Sequence, residues 1–90
     1  MKFELRRVRT TKVNGEQNSI IGKAKGILLL GDKPDYKRIE IAASHTITAA
    51  ELRGGVSPES AEVSALKNLV QLASKECRLY EAEQAAKPSA

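Results

Sequence analysis

Residues 57–83 are SPESAEVSALKNLVQLASKECRLYEAE, and this stretch decides the fold because it predicts one long helix. Ser57 can cap the first free backbone N–H groups, and Pro58 suits a position where a missing N–H costs nothing. Glu59 and Glu62 favour the positive end of the helix dipole. We therefore predict a continuous helix over residues 58–83.

Apolar residues along this helix recur at alternating steps of three and four, which places them on one face. They are Val63, Leu66, Val70, Ala73, Cys77 and Tyr80. We expect this face to be buried against a sheet. Three further leucines lie beside or opposite it, so the apolar surface is wider than contact with one sheet requires.

The length of the helix gives a second reason to expect a partner. About 26 helical residues extend roughly 40 Å, whereas a ten-residue strand extends only about 33 Å. The last turns, with Leu79 and Tyr80, are expected to overhang the sheet. We predict a homodimer that covers them, the alternative being that they fray in water. The self-association candidates are Leu69, Leu72, Leu79 and Tyr80.

The first strand is predicted from Lys2 to Val13, and its alternation slips by one residue. Phe3 and Leu5 share one face, but Val8 has the wrong parity. A β-bulge at Arg6-Arg7 would return Val8 and Thr10 to the face of Phe3 and Leu5 and turn Arg7 or Arg9 outward. Asn14-Gly15 then predicts a turn, because both residues tolerate positive φ.

The second and third strands are predicted at residues 19–30 and 36–43, separated by a turn at 31–35. In the second strand the even-numbered side is small and fits beneath a helix, with Gly22 and Gly26 at points where another backbone comes close. The run Ile27 to Leu30 suits a central strand covered on both faces. In the third strand Ile39, Ile41 and Ala43 point inward and Arg38 points outward.

A capping-box pattern, Thr48-Ala49-Ala50-Glu51, predicts a short connecting helix that Gly54-Gly55 ends. Val56 is expected to join the core. The predicted fold class is thus α+β: a three-stranded antiparallel meander packed on one face by a long C-terminal helix, in the order β-β-β-α-α. We assign residues 1–84 to a single domain and residues 85–90 to a disordered tail.

Composition limits the classes of function. The chain has 90 residues and one cysteine, which fits one small domain without disulfides in a reducing compartment. No apolar run approaches the roughly 18 residues that span a bilayer, and the N-terminal segment lacks a signal-peptide pattern. We expect a cytoplasmic protein that does not enter a membrane.

Residues able to carry chemistry are few. Metal binding by N and S ligands needs three or four convergent groups, whereas the chain has only His45 and Cys77 of these kinds. Nucleophilic catalysis needs a base near a serine or cysteine, and His45 beside Ser44 in extended chain has the wrong geometry. Asp32 and Asp35 flank Pro34 in a turn, where aspartate is common for backbone reasons. We therefore predict no enzyme activity, no metal and no cofactor.

The net charge of +4 is concentrated in the first segment, because residues 1–13 carry five Lys/Arg against one Glu. The outer face of the sheet, away from the long helix, is predicted to carry an arginine from Arg6, Arg7 or Arg9, then Lys23, Lys25 and Arg38. All six are candidates for contact with a nucleic acid or an acidic partner. Such a face suits phosphates or an acidic protein surface. Ile21, Ile27 and Leu29 on the same face favour a protein partner, and the scarcity of aromatic residues disfavours base stacking.

We expect a small non-catalytic regulatory or inhibitory protein that acts by occupying a surface on a macromolecular partner. Its size and lack of catalytic residues are consistent with a phage or mobile-element product. The alternative is a nucleic-acid-binding module that uses the basic outer face of the sheet. The sequence does not identify the partner.

Overall fold

The computed structural model describes residues 2–12, 19–32 and 34–86. Three antiparallel strands form one sheet in the order β1-β2-β3: β1 is Lys2–Lys12, β2 is Ile20–Leu30 and β3 is Lys37–Ile47. Two helices follow, α1 at Ala49–Arg53 and α2 at Ser60–Ala86. The predicted α+β meander is confirmed. The predicted turn at Asn14-Gly15 lies outside the described residues.

The β-bulge in β1 lies where the alternation of the sequence slips. Leu5 pairs with Gly26 and Arg7 pairs with Lys25, so Arg6 has no opposite residue in β2. A bulge adds one residue to one strand and reverses the parity of the residues after it. Phe3, Leu5, Val8 and Thr10 consequently share the inner face, as predicted.

Strand β3 starts one residue later than predicted and ends four residues later, at Ile47 rather than Ala43. Ile47 pairs with Ile20 and is almost fully buried. The odd-numbered inward positions of β3 continue through His45 to Ile47, and this parity was the signal for the extension. His45 therefore lies on the inner face, paired with Gly22 and half-buried.

Helix α1 has the predicted capping box. The Thr48 hydroxyl accepts a hydrogen bond from the Glu51 backbone N–H at 3.2 Å, and the Thr48 N–H donates to Glu51 Oε1 at 3.2 Å. Gly54 ends the helix. The expectation for Val56 was wrong: its side chain is exposed, and Leu52 instead packs against the buried cluster of Ile20, Ile47 and Ala61.

Helix α2 begins at Ser60 rather than at Pro58. The Ser57 hydroxyl donates to the Glu59 carboxylate instead of capping the helix. The carbonyls of Ser57 and Pro58 accept the first backbone N–H groups, from Ser60 at 3.0 Å and Ala61 at 3.1 Å. At the other end the helix continues to Ala86, two residues into the predicted tail. The rest of that predicted tail, residues 87–90, lies outside the described residues.

The face that α2 turns toward the sheet differs from the predicted one. Ala61, Ala65 and Leu69 are fully buried, whereas Val63 and Val70 are about half exposed. The sheet surface beneath the helix is made of Gly22 and Ala24, and small residues on both sides let the two backbones approach closely. Because the two backbones lie close together, only small side chains fit between them. The alanines therefore face the sheet, and the larger valines lie at the side of the helix.

Helix α2 lies mainly over β2 and β3 and contacts β1 little. Its polar contacts with the sheet are few. Thr10 Oγ1 donates to Glu62 Oε1 at 2.9 Å, and Asn68 Nδ2 donates to the Ser44 carbonyl at 3.2 Å. Lys37 Nζ lies 3.9 Å from Glu83 Oε2. The inner face of β1 is therefore left largely uncovered.

Candidate nucleic-acid interface

The outer face of the sheet holds two consecutive rows of residues that are basic in β1 and β2. In one row Arg7 pairs with Lys25, which pairs with Ala42 of β3; in the next row Arg9 pairs with Lys23, which pairs with Ser44. We call Arg7, Arg9, Lys23 and Lys25 the basic quartet. All four side chains are exposed.

The spacing of the quartet follows from strand geometry. Residues two apart on one strand are separated by about 6.7 Å, and opposite residues in an antiparallel pair by about 5 Å between Cα atoms. The four positive charges therefore project from a patch whose sides are about 5 and 7 Å at the backbone. No carboxylate lies within 4.0 Å of any of the four in the ranges that the structure describes.

The other two basic candidates lie beside carboxylates and do not belong to the quartet. Arg6 Nη2 is 3.2 Å from Glu4 Oε2, and Lys2 Nζ is 3.4 Å from the other oxygen of the same group. Arg38 Nη2 is 3.6 Å from Glu40 Oε1. Glu4 and Glu40 offset two of these three cations, so this end of the outer face carries less excess positive charge than the quartet end.

Small residues of β3 give the quartet a groove of about 340 Å³, with Ala42 and Ser44 along one side. Ala42 was predicted to point outward but was not counted among the site residues, which were all charged, and Ser44 lay beyond the predicted end of β3 at Ala43. Their even numbering, shared with Arg38 and Glu40, was the signal that places them on the outer face. A linear anion can lie along β3 within reach of Lys23 and Lys25.

The apolar residues of the outer face are less exposed than the sequence suggests. Ile27 is only 6 % exposed, and Ile21 and Leu29 are half-buried. Ile27 lies between Glu4 and Glu40 in the neighbouring strands. Long charged side chains can cover apolar surface with their aliphatic stems while the charged group remains in water. This face therefore offers charge rather than an apolar patch.

The residues considered for catalysis or metal binding do not form a cluster in the described part of the chain. Within the described part of the chain, no group of three or more His, Cys, Asp or Glu residues is arranged to hold a metal ion. His45 lies on the inner face of β3, and Cys77 is a free, half-buried cysteine of α2. Asp32 and Asp35 form a turn in which the Asp35 N–H donates to the Asp32 carbonyl at 3.0 Å.

The four self-association candidates occupy different environments. Leu69 is fully buried in the core of the single chain. The Tyr80 hydroxyl lies over Gly31, where a Cβ would come within 2.8 Å of it. Leu72 and Leu79 are exposed. Leu69 is therefore not available to a partner without unfolding.

Comparison of the chain with protein-family models, with curated proteins and with solved structures found no match. In the described residues, no helix combines the length and apolar character needed to cross a membrane.

Proposed function

We propose that this protein is a non-catalytic binding protein that uses the outer face of its sheet to bind the phosphate backbone of a nucleic acid. The observation that carries the proposal is the basic quartet, with four exposed cations in two adjacent rows and no carboxylate beside them in the described residues. Contacts to phosphate supply most sequence-independent affinity for nucleic acids.

The energetics of the sheet support a ligand at this position. Like charges directly opposite each other on an antiparallel pair are destabilising, and both basic rows of the quartet are of this kind. A phosphate chain carries regularly spaced negative charges that would relieve this repulsion. At the other end of the outer face the same sheet places Arg6 and Arg38 beside carboxylates.

The burial of Ile27 favours a nucleic acid over an acidic protein. Protein interfaces have an apolar centre within a polar rim, and the half-buried Ile21 and Leu29 offer little such surface. None of the outward-facing residues of β1, β2 and β3 is aromatic, so bases cannot stack on the strands themselves. We infer contact with phosphates rather than reading of base sequence.

A protein of this kind would regulate or inhibit by covering the phosphates that another protein needs. This role follows from the small size of the chain and the position of the quartet. The regulatory or inhibitory assignment and the lack of enzyme activity stay predictions.

The experiment is a fluorescence-anisotropy titration of a labelled duplex of about 20 base pairs at several salt concentrations. Four phosphate contacts predict a slope of about −3.6 in log K against log salt, or roughly a hundredfold loss of affinity between about 50 and 200 mM. The double variant Lys23→Gln/Lys25→Gln should reduce the slope by about 2.

The matched control is Arg6→Gln/Arg38→Gln, which removes the same formal charge from residues paired with Glu4 and Glu40. It should bind nearly as the unaltered protein does. No binding at about 50 mM salt, where phosphate contacts are strongest, or equal losses in both double variants, would contradict the proposal. Equal affinity for a polyglutamate peptide would point to an acidic protein instead.

A further inference from the structure

Helix α2 carries a second apolar stripe that the chain covers only in part, because Leu66 and Ala73 pack against the core whereas Val63 and Val70 are exposed. It is the stripe predicted to face the sheet, and we call it the lateral stripe: Val63, Leu66, Val70, Ala73, Cys77 and Tyr80. Val63 is 52 % and Val70 is 51 % exposed. Its spacing of alternating three and four residues is that of a helix packed along its length against another helix.

The lateral stripe is continuous with the uncovered inner face of β1. Phe3 and Val70 line opposite sides of a groove of about 410 Å³, together with Ala73 and Cys77. Phe3 is 38 % and Leu5 is 49 % exposed. A helix lying beside α2 would cover both the stripe and the inner face of β1.

The total surface of the elongated chain is larger than that of a compact monomer of the same mass. The chain exposes 6578 Å², whereas a compact monomer of 9.8 kDa exposes about 5,200 Å². A standard interface buries about 800 Å² on each partner. The excess of about 1,400 Å² is therefore large enough to supply one such interface.

We propose that the occupant is a second copy of this chain, with the two α2 helices antiparallel about a two-fold axis near Val70 and Ala73. An isologous contact uses the same patch on both copies. In this register Val70 faces Ala73 of the partner subunit, and Leu66 faces Cys77 of the partner subunit. The second α2 then lies above Phe3 and Leu5.

Charge at the edge of the lateral stripe supports the antiparallel direction. Lys67 and Glu81 each follow a stripe residue by one position, both are exposed, and neither has an ion-pair partner in the described part of its own chain. In this antiparallel register Lys67 and Glu81 of the partner subunit lie on the same flank of the seam and about 7.5 Å apart along the axis, twice by symmetry. In parallel helices these residues would be about 21 Å apart along the axis.

Pairing between the β1 edge strands of two copies is a less favourable way to form a dimer. Edge strands that carry basic side chains and a bulge resist pairing with another strand. Strand β1 has both, with the bulge at Arg6 and basic residues from Lys2 to Lys12. The contact that we propose is therefore between helices.

Sedimentation equilibrium tests the proposal on the full chain. At about 50 µM the unaltered protein should have twice the mass of one chain, and Val70→Glu should have the mass of one chain because a carboxylate cannot be buried unpaired in the seam. The matched control is Leu79→Glu, since Leu79 is also 51 % exposed but lies on the other flank of α2. It should remain dimeric.

A monomeric unaltered protein would overturn the proposal, as would dissociation by Leu79→Glu and not by Val70→Glu. Circular dichroism of each variant separates loss of the dimer from loss of the fold.

The orientation has its own test, because Leu66→Cys places a second thiol opposite the native Cys77 of the partner subunit. Residues 66 and 77 of one chain are about 16 Å apart along the helix, too far for a disulfide within the chain. Mild oxidation should link Leu66→Cys into covalent dimers and leave the unaltered protein unlinked. Linking of the unaltered protein through Cys77 alone, or no linking of the variant, would rule out the antiparallel register.

Discussion

At Gly22 the backbone of α2 comes very close to the middle strand. A Cβ built on Gly22 would lie 2.1 Å from the Ala61 carbonyl oxygen and 2.2 Å from its carbonyl carbon. Backbone atoms of a buried helix turn cannot rotate away, so Gly22→Ala must lift α2 from the sheet. We expect a loss of about 3 kcal/mol or more in the free energy of unfolding, measured by urea denaturation.

Gly54→Ala is the control, because Gly54 has a φ of −77° and the nearest atom to an added Cβ is 3.4 Å away. This substitution should change stability by less than about 1 kcal/mol. Equal losses in the two variants would show that the close approach at Gly22 is not what limits the side chain there.

Two local features of this structure could be predicted from single residues of the sequence. The sequence indicated a close approach at Gly22 and a bulge at Arg6-Arg7, because a missing side chain and a slip in parity are local signals. At Gly26 an added Cβ would meet the ring of Phe3 at 2.8 Å and the Glu4 carbonyl oxygen at 3.1 Å, so the close backbone there belongs to β1 and the closest atoms to a side chain. The sequence also placed Arg6 and Arg38 with the free cations, although Glu4 and Glu40 stand two residues away on the same strands.

The turn that precedes α2 contains a hydrogen bond that lowers a carboxyl pKa. The Ser57 hydroxyl donates to the Glu59 carboxylate and lowers the pKa of Glu59 below its ordinary value of 4.5, and a backbone N–H adds to the effect. We expect Ser57→Ala to raise the pKa of Glu59 toward that value, as measured by NMR titration of the side-chain carboxyl carbon. Ser60→Ala, which removes a hydroxyl bonded to the Ser57 carbonyl, should leave it lower.

The sign of the linked stability follows from the direction of the shift. A carboxyl whose pKa is lower in the folded state stabilises the fold above the pKa of the unfolded chain. That contribution is lost as the pH falls through the lower pKa of the folded state. Ser57→Ala should therefore weaken the dependence of stability on pH in the acid range. An unchanged Glu59 pKa in this variant would contradict the assignment of its cause.

Helix α2 shows what periodicity can and cannot decide. The sequence predicted a long helix with an apolar face, and the helix extends over Ser60–Ala86. It did not decide which of two stripes meets the sheet, because Val63 and Val70 are more hydrophobic than Ala61 and Ala65. The deciding feature is the facing strand, whose Gly22 and Ala24 accept only a close, small surface. Comparing the side-chain sizes of the two elements would have selected the alanine stripe.

The molecule as a whole is elongated, with extents of 59 × 21 × 19 Å. Adding element lengths predicted that the last turns, with Leu79 and Tyr80, overhang the sheet. Leu79 is exposed, but the Tyr80 hydroxyl lies over Gly31 and Glu83 lies beside Lys37, so these turns still contact the sheet end of the molecule. The lateral position of α2, over β2 and β3 rather than over the whole sheet, could not be predicted in this way. It depends on the three-dimensional fit of small residues on β2, and it is what leaves Phe3 and Leu5 exposed.

Repulsion within the basic quartet should lower the free energy of unfolding of the protein when no ligand is bound. The quartet's cations face each other across β1 and β2, and each such pair costs about 0.2–1 kcal/mol. We expect Lys23→Gln/Lys25→Gln, the variant that weakens nucleic-acid binding, to unfold at a temperature about 4–8 °C higher at low salt. The gain should shrink as added salt screens the repulsion, with a Debye length of about 10 Å at 0.1 M.

The double variant Arg6→Gln/Arg38→Gln again supplies the comparison, because it removes cations that already lie beside carboxylates and should not gain stability. If Lys23→Gln/Lys25→Gln binds nucleic acid more weakly but unfolds at a higher temperature, the two lysines serve the ligand and not the fold. The fold without a ligand is then more stable when these charges are removed. A lower unfolding temperature for Lys23→Gln/Lys25→Gln at low salt would instead mean that these side chains stabilise the sheet. In that case the repulsion would no longer support a polyanion at the outer face.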